Sequence, residues 1–290
     1  MASVAQLKNH IRSVNNTKQI TGAMQLVSAS KMRRAAERSL STQPYHKYIS
    51  DLLTHLIGRQ ELAKNHPLIV RREVKTRLLV VITSDTGLAG AYNSNVLKRY
   101  LKELELDRNR KVKTETIAVG RKAIQMATRL GENVIGSYEG LSSGSAAAGR
   151  NAIVSTIITK YRNLEVDAVD IIYTKYRSSI NQEVRVWNLL PAGHIPGVDY
   201  EATEDYIYKF EPNQERVFGA LVKRAIEIQV AQTVFDSVAS EHSTRMLAMK
   251  NATDNATELS EDLTLEMNKE RQAAITNELS DISNGANAVE

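Results

Sequence analysis

The chain has 290 residues, enough for one or two domains, with 42% hydrophobic and 24% charged residues and a net charge of +5. It contains no cysteine, which excludes disulfides, thiolate catalysis and cysteine metal sites. No apolar run reaches the roughly 18 residues of a membrane-spanning helix, so none is expected.

The charge is unevenly placed. Residues 1–40 carry seven Lys/Arg and one acid, net +6, whereas residues 251–290 carry two basic and nine acidic residues, net −7. A pI near 9.2 taken alone would suit nucleic acid. The asymmetry argues instead for two oppositely charged arms, and no nucleic-acid partner is expected. The first residues, Met1-Ala2-Ser3-Val4-Ala5-Gln6-Leu7, lack the apolar core of a signal peptide, and a cytoplasmic location is expected. The six histidines show no metal-ligand spacing. His242 reads as a packed residue rather than a ligand.

Taken in chain order, residues 3–57 form a long helical arm with Ser3 as its cap. Val4, Leu7, Ile11 and Val14 make a seam of three- and four-residue steps. After a polar patch at 15–19, the seam is expected to resume on a shifted phase at Ile20, Met24 and Val27. Lys31, Arg33, Arg34 and Arg38 then give a basic band. Pro44 marks an expected kink or break, because proline removes an internal hydrogen bond.

Residues 74–200 change character. The apolar run at 77–84, the alternating stretch at 113–119, a short stretch at 133–136 and the stretches at 168–174 and 184–190 read as strands, alternating with helical stripes at 93–106, 121–130 and 145–161. That alternation predicts an open, mostly parallel sheet with helices on its faces. The last strand follows by a short link, so an antiparallel edge is expected. Residues 191–212 hold Pro191, Pro196 and Pro212 and form a return segment. From Pro212 the chain runs to Glu290 without another proline. Phe218, Leu221, Ala225, Ile228, Gln232, Phe235, Ala239, His242, Met246, Met249, Thr253, Ala256, Ser260, Leu263 and Met267 hold one heptad seam throughout.

Such a helix spans on the order of 110 Å and cannot bury its stripe alone. The fold class is therefore α/β, a long antiparallel coiled coil of the terminal helices plus a Rossmann-like open-sheet domain. The segments are 1–66, 67–211 and 212–290. The C-terminal helix should overhang its partner by roughly 17 residues, about 25 Å, from near Ala273. Ala273, Ala274, Ile275, Leu279 and Ile282 there suit contact with a partner.

Candidate chemistry is sparse. Gly87-Leu88-Ala89-Gly90 sits where a phosphate loop would, between strand and helix, but lacks both the GxGxxG pattern and a GK[ST] ending. It reads as a tight turn, and Asp85 as a cap or turn carboxylate. No nucleophile elbow is present.

Three stretches carry a family resemblance. Ile11-Arg12-Ser13-Val14-Asn15-Asn16-Thr17-Lys18-Gln19-Ile20-Thr21-Gly22-Ala23-Met24, with Leu26-Val27-Ser28-Ala29-Ser30-Lys31-Met32, resembles the N-terminal helix of the gamma subunit of F-type ATP synthases. Ser84-Asp85-Thr86-Gly87-Leu88-Ala89-Gly90 resembles that family's first β–α loop. Glu241-His242-Ser243-Thr244-Arg245-Met246-Leu247-Ala248-Met249-Lys250-Asn251-Ala252-Thr253 and Asn268-Lys269-Glu270-Arg271-Gln272-Ala273-Ala274-Ile275-Thr276 resemble its C-terminal signature.

The resemblance implies a non-catalytic rotor, of bacterial type, without catalytic residues, cofactor or metal. The paired helices would turn inside a ring of three alpha and three beta subunits. The α/β domain would lie against the epsilon subunit and the membrane-embedded c ring, with membrane contact only through the complex, on the cytoplasmic side of the cell membrane. Met24, Lys31, Arg33, Arg34, Arg245, Arg271, Gln272 and Thr276 match family positions at or near rotor–stator contacts. Tyr208 and Glu211 resemble residues that meet epsilon and the c ring. The Gly87–Gly90 turn carries no nucleotide role in that family. No cysteine pair lies at 190–210, so the thiol switch of plant plastid forms cannot operate.

Overall fold

The computed structural model describes residues 3–58, 66–141, 146–192, 211 and 213–287. The order is α1 (Val4–Gly58), β1 (Thr76–Ile82), α2 (Tyr92–Asn109), β2 (Lys113–Val119), α3 (Arg121–Arg129), β3 (Val134–Tyr138), α4 (Ala146–Arg162), β4 (Ala168–Tyr176), β5 (Gln182–Leu190) and α5 (Gln214–Asn287). The chain falls into two compact units. One joins Met1–Ala29 to Arg245–Glu290 and the other is Ser30–Thr244.

The first unit is a helix pair. Ser3 starts α1 with a capping box: the Gln6 backbone N–H donates to Ser3 Oγ at 3.3 Å, and the Ser3 N–H donates to Gln6 Oε1 at 2.9 Å. Leu7, Val14, Ala256 and Leu263 form the core of the pair, flanked by Ile11 and Met267. The hydroxyls of Thr21 and Thr253 meet at 2.7 Å, and Ser260 Oγ donates to Asn15 Oδ1 at 3.2 Å. Partner numbers on α5 fall as those on α1 rise, so the helices are antiparallel.

The seam of α1 differs from the sequence expectation. It does not shift phase at Ile20. Positions 7, 11, 14, 18, 21, 25, 28, 32, 35, 39 and 42 are all buried or half-buried, one unbroken series of three- and four-residue steps. Its middle is built from Thr21, Ser28, Ala35 and Ser39, which carry no hydrophobic signal. Ile20 and Val27, the expected continuation, are 61% and 55% exposed. Pro44 does not break α1 either. Leu40, whose carbonyl loses its partner to the proline, is itself on the exposed side, where water can satisfy that group.

The second unit holds a five-stranded sheet in the order β3-β2-β1-β4-β5. β1 pairs in parallel with β2 and β4, β2 with β3, and only β5 runs antiparallel, at the edge. Side chains alternate across the strands. Leu78, Val80, Ile82, Ile117 and Ile171 face a core shared with α4 and the first half of α5. Leu79, Val81, Ala118 and Ile172 face Val96, Tyr100 and Leu104 of α2 and Ala123 of α3. The long helix α5 thus doubles as a cover of the sheet. That is why its residues near 225–245 are buried almost all round, far beyond a two-helix seam.

A buried charge cluster ties β1, β4 and α2 together. Arg77 contacts Asp170, Glu103 at 3.0 Å and Asp107 at 3.0 Å, with the Arg77 side chain only 13% exposed. Asn188 of β5 donates to Asp170 Oδ1 at 2.9 Å. Burial pushes the Asp170 pKa above the usual carboxylate range despite the opposing pull of Arg77. Burial alone would lower the Arg77 pKa, but Asp170 and Asp107 hold it above its ordinary value. Arg77→Met would leave Asp170 and Asp107 without their cation, while Glu103 keeps Arg99, so urea denaturation should show a loss of about 3–5 kcal/mol. Asp170 behaves oppositely. Its raised folded pKa gives a stability contribution that is complete below the unfolded pKa and lost as pH rises through the folded pKa. Asp170→Asn should therefore cost under about 1 kcal/mol at pH 7 and flatten the decline in stability on leaving mild acid.

Candidate functional site

The carboxyl ends of β1 and β2, beside the point where the strand order reverses, are where an open α/β sheet would bind a ligand. Here the loops are locked together. Asp85 accepts from the Arg121 N–H at 3.2 Å and from the Gly140 N–H at 3.0 Å, so it is the turn carboxylate expected from sequence. Asn93 Oδ1 accepts from the Ser84 N–H at 3.0 Å, closing the 84–93 turn. Gly120 has φ +87°, and a Cβ there would lie 2.3 Å from the Thr83 carbonyl oxygen, so the chain needs glycine at that crossing. Val234, Ser237, Val238 and Glu241 of α5 fill the crevice, leaving a cavity of about 20 Å³. Small-molecule pockets run to roughly 300 Å³ and more. The space has room for about one water.

What α5 does at this position is mechanical. Asp236 faces the Lys175 ammonium at 3.0 Å and accepts from Ser39 Oγ at 2.9 Å and Gln232 Nε2 at 3.2 Å. Gln232 also donates to Ser39 Oγ at 2.7 Å and accepts from Thr42 Oγ1 at 2.7 Å. One clasp therefore joins α1, α5 and β4. A second joins α5 to the β4–β5 turn. Ser243 Oγ donates to the Ser179 carbonyl at 2.8 Å, Gln182 Nε2 donates to Ser243 Oγ at 3.1 Å, and Thr244 Oγ1 donates to Gln182 Oε1 at 3.0 Å. Hydrogen bonds specify one register where apolar contacts alone would tolerate sliding. Of these residues the sequence pattern announces only Gln232, as a seam position; Ser39, Thr42, Asp236, Gln182, Ser243 and Thr244 carry no pattern signal.

The residues singled out from sequence do not converge on one place. Lys31, Arg33 and Arg34 are exposed on α1 in the second unit, and Glu211 is exposed. Tyr208 lies outside the described residues. In the first unit, Met24 is half-buried on α1. Arg245 is only 5% exposed, so it offers little surface to a partner. Arg271, Gln272 and Thr276 are exposed on α5, with Thr276 Oγ1 donating to the Gln272 carbonyl at 2.9 Å. The pairing register places Val4 opposite the region of Arg271. Residues 272–287 therefore run past the end of α1 for roughly 24 Å. Ile275, Leu279 and Ile282 make one apolar stripe there, 49%, 63% and 69% exposed.

A paired helix with a bare apolar stripe in the first unit and, in the second, a sheet whose crevice α5 lines and to which polar clasps hold α5, are features of a stalk-type structural subunit. The comparisons with known proteins give the family. A family model described as ATP synthase matches residues 3–289. The chain is 38% identical over 289 residues to the ATP synthase gamma chain of Glaesserella parasuis, covering all of both chains. It is 39% identical over 292 residues to that of Roseiflexus castenholzii, covering all of this chain and 99% of the other. Among solved structures, a chain of the central stalk and c ring of the Tetrahymena thermophila mitochondrial ATP synthase matches with TM-score 0.60 and 26% identity, over 80% of this chain and 99% of that one. A chain of the Euglena gracilis mitochondrial ATP synthase shares the fold with TM-score 0.70 at 19% identity, over 99% of this chain and 94% of that one. The chain belongs to the ATP synthase gamma chain family, whose members are non-catalytic subunits of that complex.

The clasp is open to test. Asp236→Ala removes an anion that Lys175, Ser39 and Gln232 hold in place and should cost about 3 kcal/mol in urea unfolding. Ser39→Ala, which removes one of several neutral donors, should cost about 1 kcal/mol in the same assay.

Proposed function

We propose that this chain is the central rotor shaft of an F-type ATP synthase. Residues 1–66 and 212–290 form the shaft and 67–211 the body. It couples ion flow through the membrane c ring to ATP synthesis or hydrolysis at the beta subunits of an alpha3-beta3 ring. The observation that carries this reading is the uncovered tip of α5, beyond α1, with its stripe of Ile275, Leu279 and Ile282. Such a stripe in water calls for a surrounding surface, and an apolar sleeve in which the tip turns supplies one. Arg271, Gln272 and Thr276, roughly two to three turns before the stripe's end at Ile282, are the polar contacts to that ring. Met24 is a flexible apolar side chain past which a neighbour slides. Lys31, Arg33 and Arg34 face acidic loops of the beta subunits. Tyr208 and Glu211 meet epsilon and the c ring.

Energy passes by differential contact: at each angle the asymmetric shaft favours one conformation of each beta subunit. The clasps at Asp236 and Ser243 keep α5 from slipping against the sheet under load. No described helix is long and apolar enough to cross a membrane, and the reading places the chain at the cytoplasmic face of the cell membrane through its complex. The test is coexpression with alpha and beta subunits. One copy per three beta subunits, with ATP hydrolysis coupled to proton pumping, supports the shaft. A complex that pumps with full coupling while lacking this chain overturns it.

Two substitutions probe the contacts. Met24→Lys introduces a cation on the sliding face and should lower the ratio of protons pumped to ATP hydrolysed, with hydrolysis retained. Leu279→Ser with Ile282→Ser removes most of the tip's apolar surface. The loss should reach about 2–4 kcal/mol of association free energy, read as subunit dissociation on dilution.

A further inference from the structure

The end of the sheet where the parallel strands begin carries a row of cations. The turns entering β3, β2, β1 and β4 are 129–133, 108–113, 71–75 and 162–167, and the strand order sets them side by side. Backbone bonds fix their spacing. The Thr116 N–H donates to the Asn133 carbonyl at 2.9 Å, the Lys113 N–H to the Lys75 carbonyl at 2.8 Å and the Asp167 N–H to the Thr76 carbonyl at 2.8 Å. These four turns hold nine Lys/Arg against four acids, an excess of five, as large as the net charge of the whole chain. The loops at the other end of the sheet, 83–91, 120–122, 139–141 and 177–181, hold three basic residues against two acids.

Three of the four acids in the row are already engaged. Glu132 pairs with Arg108 at 2.6 Å, Glu165 with Lys160 at 3.0 Å, and Asp167 accepts from the Lys75 and Thr76 N–H groups at 3.0 and 2.9 Å. Arg72 lies over the Tyr161 ring and donates to the Tyr161 carbonyl at 3.0 Å. The other seven cations are Arg129 before β3, Arg110, Lys111 and Lys113 before β2, Arg71 and Lys75 before β1, and Arg162 before β4. All seven are exposed, and none is in an ion pair among the described residues. Basic residues commonly offset the negative end of a helix dipole, and α2, α3 and α4 all end at this row. Three helix ends account for only about 1.5 charges.

The row also exposes apolar surface. The three helices end in the same left-handed turn, at Lys111 (φ +58°), Gly131 (φ +70°) and Leu164 (φ +61°). Glycine is the usual residue of such a turn, and here two of the three positions carry a long side chain instead. Leu164 is 70% exposed, and Val74, between the cations entering β1, is 40% exposed.

We propose that this end of the sheet is a membrane-surface contact, whose seven cations take the phosphates of anionic phospholipids while Leu164 and Val74 enter the headgroup boundary. It deepens the shaft reading, on which it rests for the nearness of a bilayer, and adds a direct lipid contact to the one made through the c ring. Clusters of roughly four to eight Lys/Arg are what an anionic lipid surface attracts. Lipids diffuse in their plane and gather beneath cations of fixed spacing, whereas a folded acidic polypeptide has to match that spacing. A bilayer also accepts the exposed apolar side chains among the cations. The four turns contain no aromatic residue on which the bases of a nucleic acid could stack.

The test is sedimentation of the full-length chain with phosphatidylcholine vesicles that contain about one-third phosphatidylglycerol. Replacing Arg110, Lys111 and Lys113 together by Gln should lower the partition coefficient on the order of ten-fold or more. Replacing Lys8, Arg12 and Lys250 by Gln removes the same charge from exposed cations of the first unit and should lower it less than about three-fold. Leu164→Gly suits the left-handed turn, leaves the charge unchanged and should weaken binding about two- to five-fold. Equal loss in the two triple variants would overturn the surface. So would equal binding to vesicles of phosphatidylcholine alone, or tighter binding to a polyglutamate peptide or duplex DNA at the same salt. The wild-type chain and the first triple variant are then assembled with alpha and beta subunits. If the wild-type chain binds the vesicles through this row yet takes no place in the ring, the shaft reading fails and the surface stands. If it assembles at one copy per ring and the first triple variant binds vesicles as the wild type does, the surface fails and the shaft stands.

Discussion

Two helices of 55 and 74 residues are useful only if they pair along one register, and that pairing is the constraint on which everything else rests. In the first unit it is made from a short apolar cluster, Leu7 to Leu263, and from hydroxyl contacts such as Thr21 with Thr253. In the second it is made from the Asp236 clasp. Purely apolar seams are strong but permit neighbouring registers. Small polar residues at Thr21, Ser28 and Ser39 give up some hydrophobic stabilisation for a single alignment, as buried polar positions do in other coiled coils. The length difference then leaves one end of α5 with no partner among the described residues. The exposed tip is a consequence of that alignment rather than a separate feature.

The α/β unit follows from the same constraint. A doubly wound sheet has a crevice at its strand ends that other proteins fill with a ligand. Here α5 fills it with Val234, Ser237, Val238 and Glu241, because the helix that pairs with α1 also covers one sheet face. The sheet gains a rigid attachment and loses a binding site. A gamma chain needs the first and has no use for the second. The buried Arg77 cluster serves the sheet's interior and the α5 clasps serve its attachment, so the two buried charge groups have separate jobs.

Much of this was legible in the sequence, for physical reasons. Strand β1 carries a continuous apolar run, Leu78 to Ile82, and the antiparallel β5 was legible because its link to β4 is too short for a crossover. The overhang needed only the two helix lengths. The second half of the α1 seam was hidden, since Thr21, Ser28 and Ser39 bury no apolar surface while exposed Ile20, Leu26 and Val27 mimic a seam. Pro44 misled because its effect depends on whether the freed carbonyl meets water. The clasp was illegible because it exists only through residues brought together from distant elements, Ser39 with Asp236. Arg271, Gln272 and Thr276 were singled out only through the family resemblance, and all three are exposed on α5.

The central claim is that this chain turns as an axle within the ring of alpha and beta subunits. Because the chain has no cysteine, a single thiol at exposed Lys102 on α2 gives a unique attachment point for a bead. With the alpha3-beta3 ring fixed to glass and ATP supplied, the account predicts unidirectional stepping rotation of the bead. A bead that stays fixed while the same complexes hydrolyse ATP at full rate would contradict it.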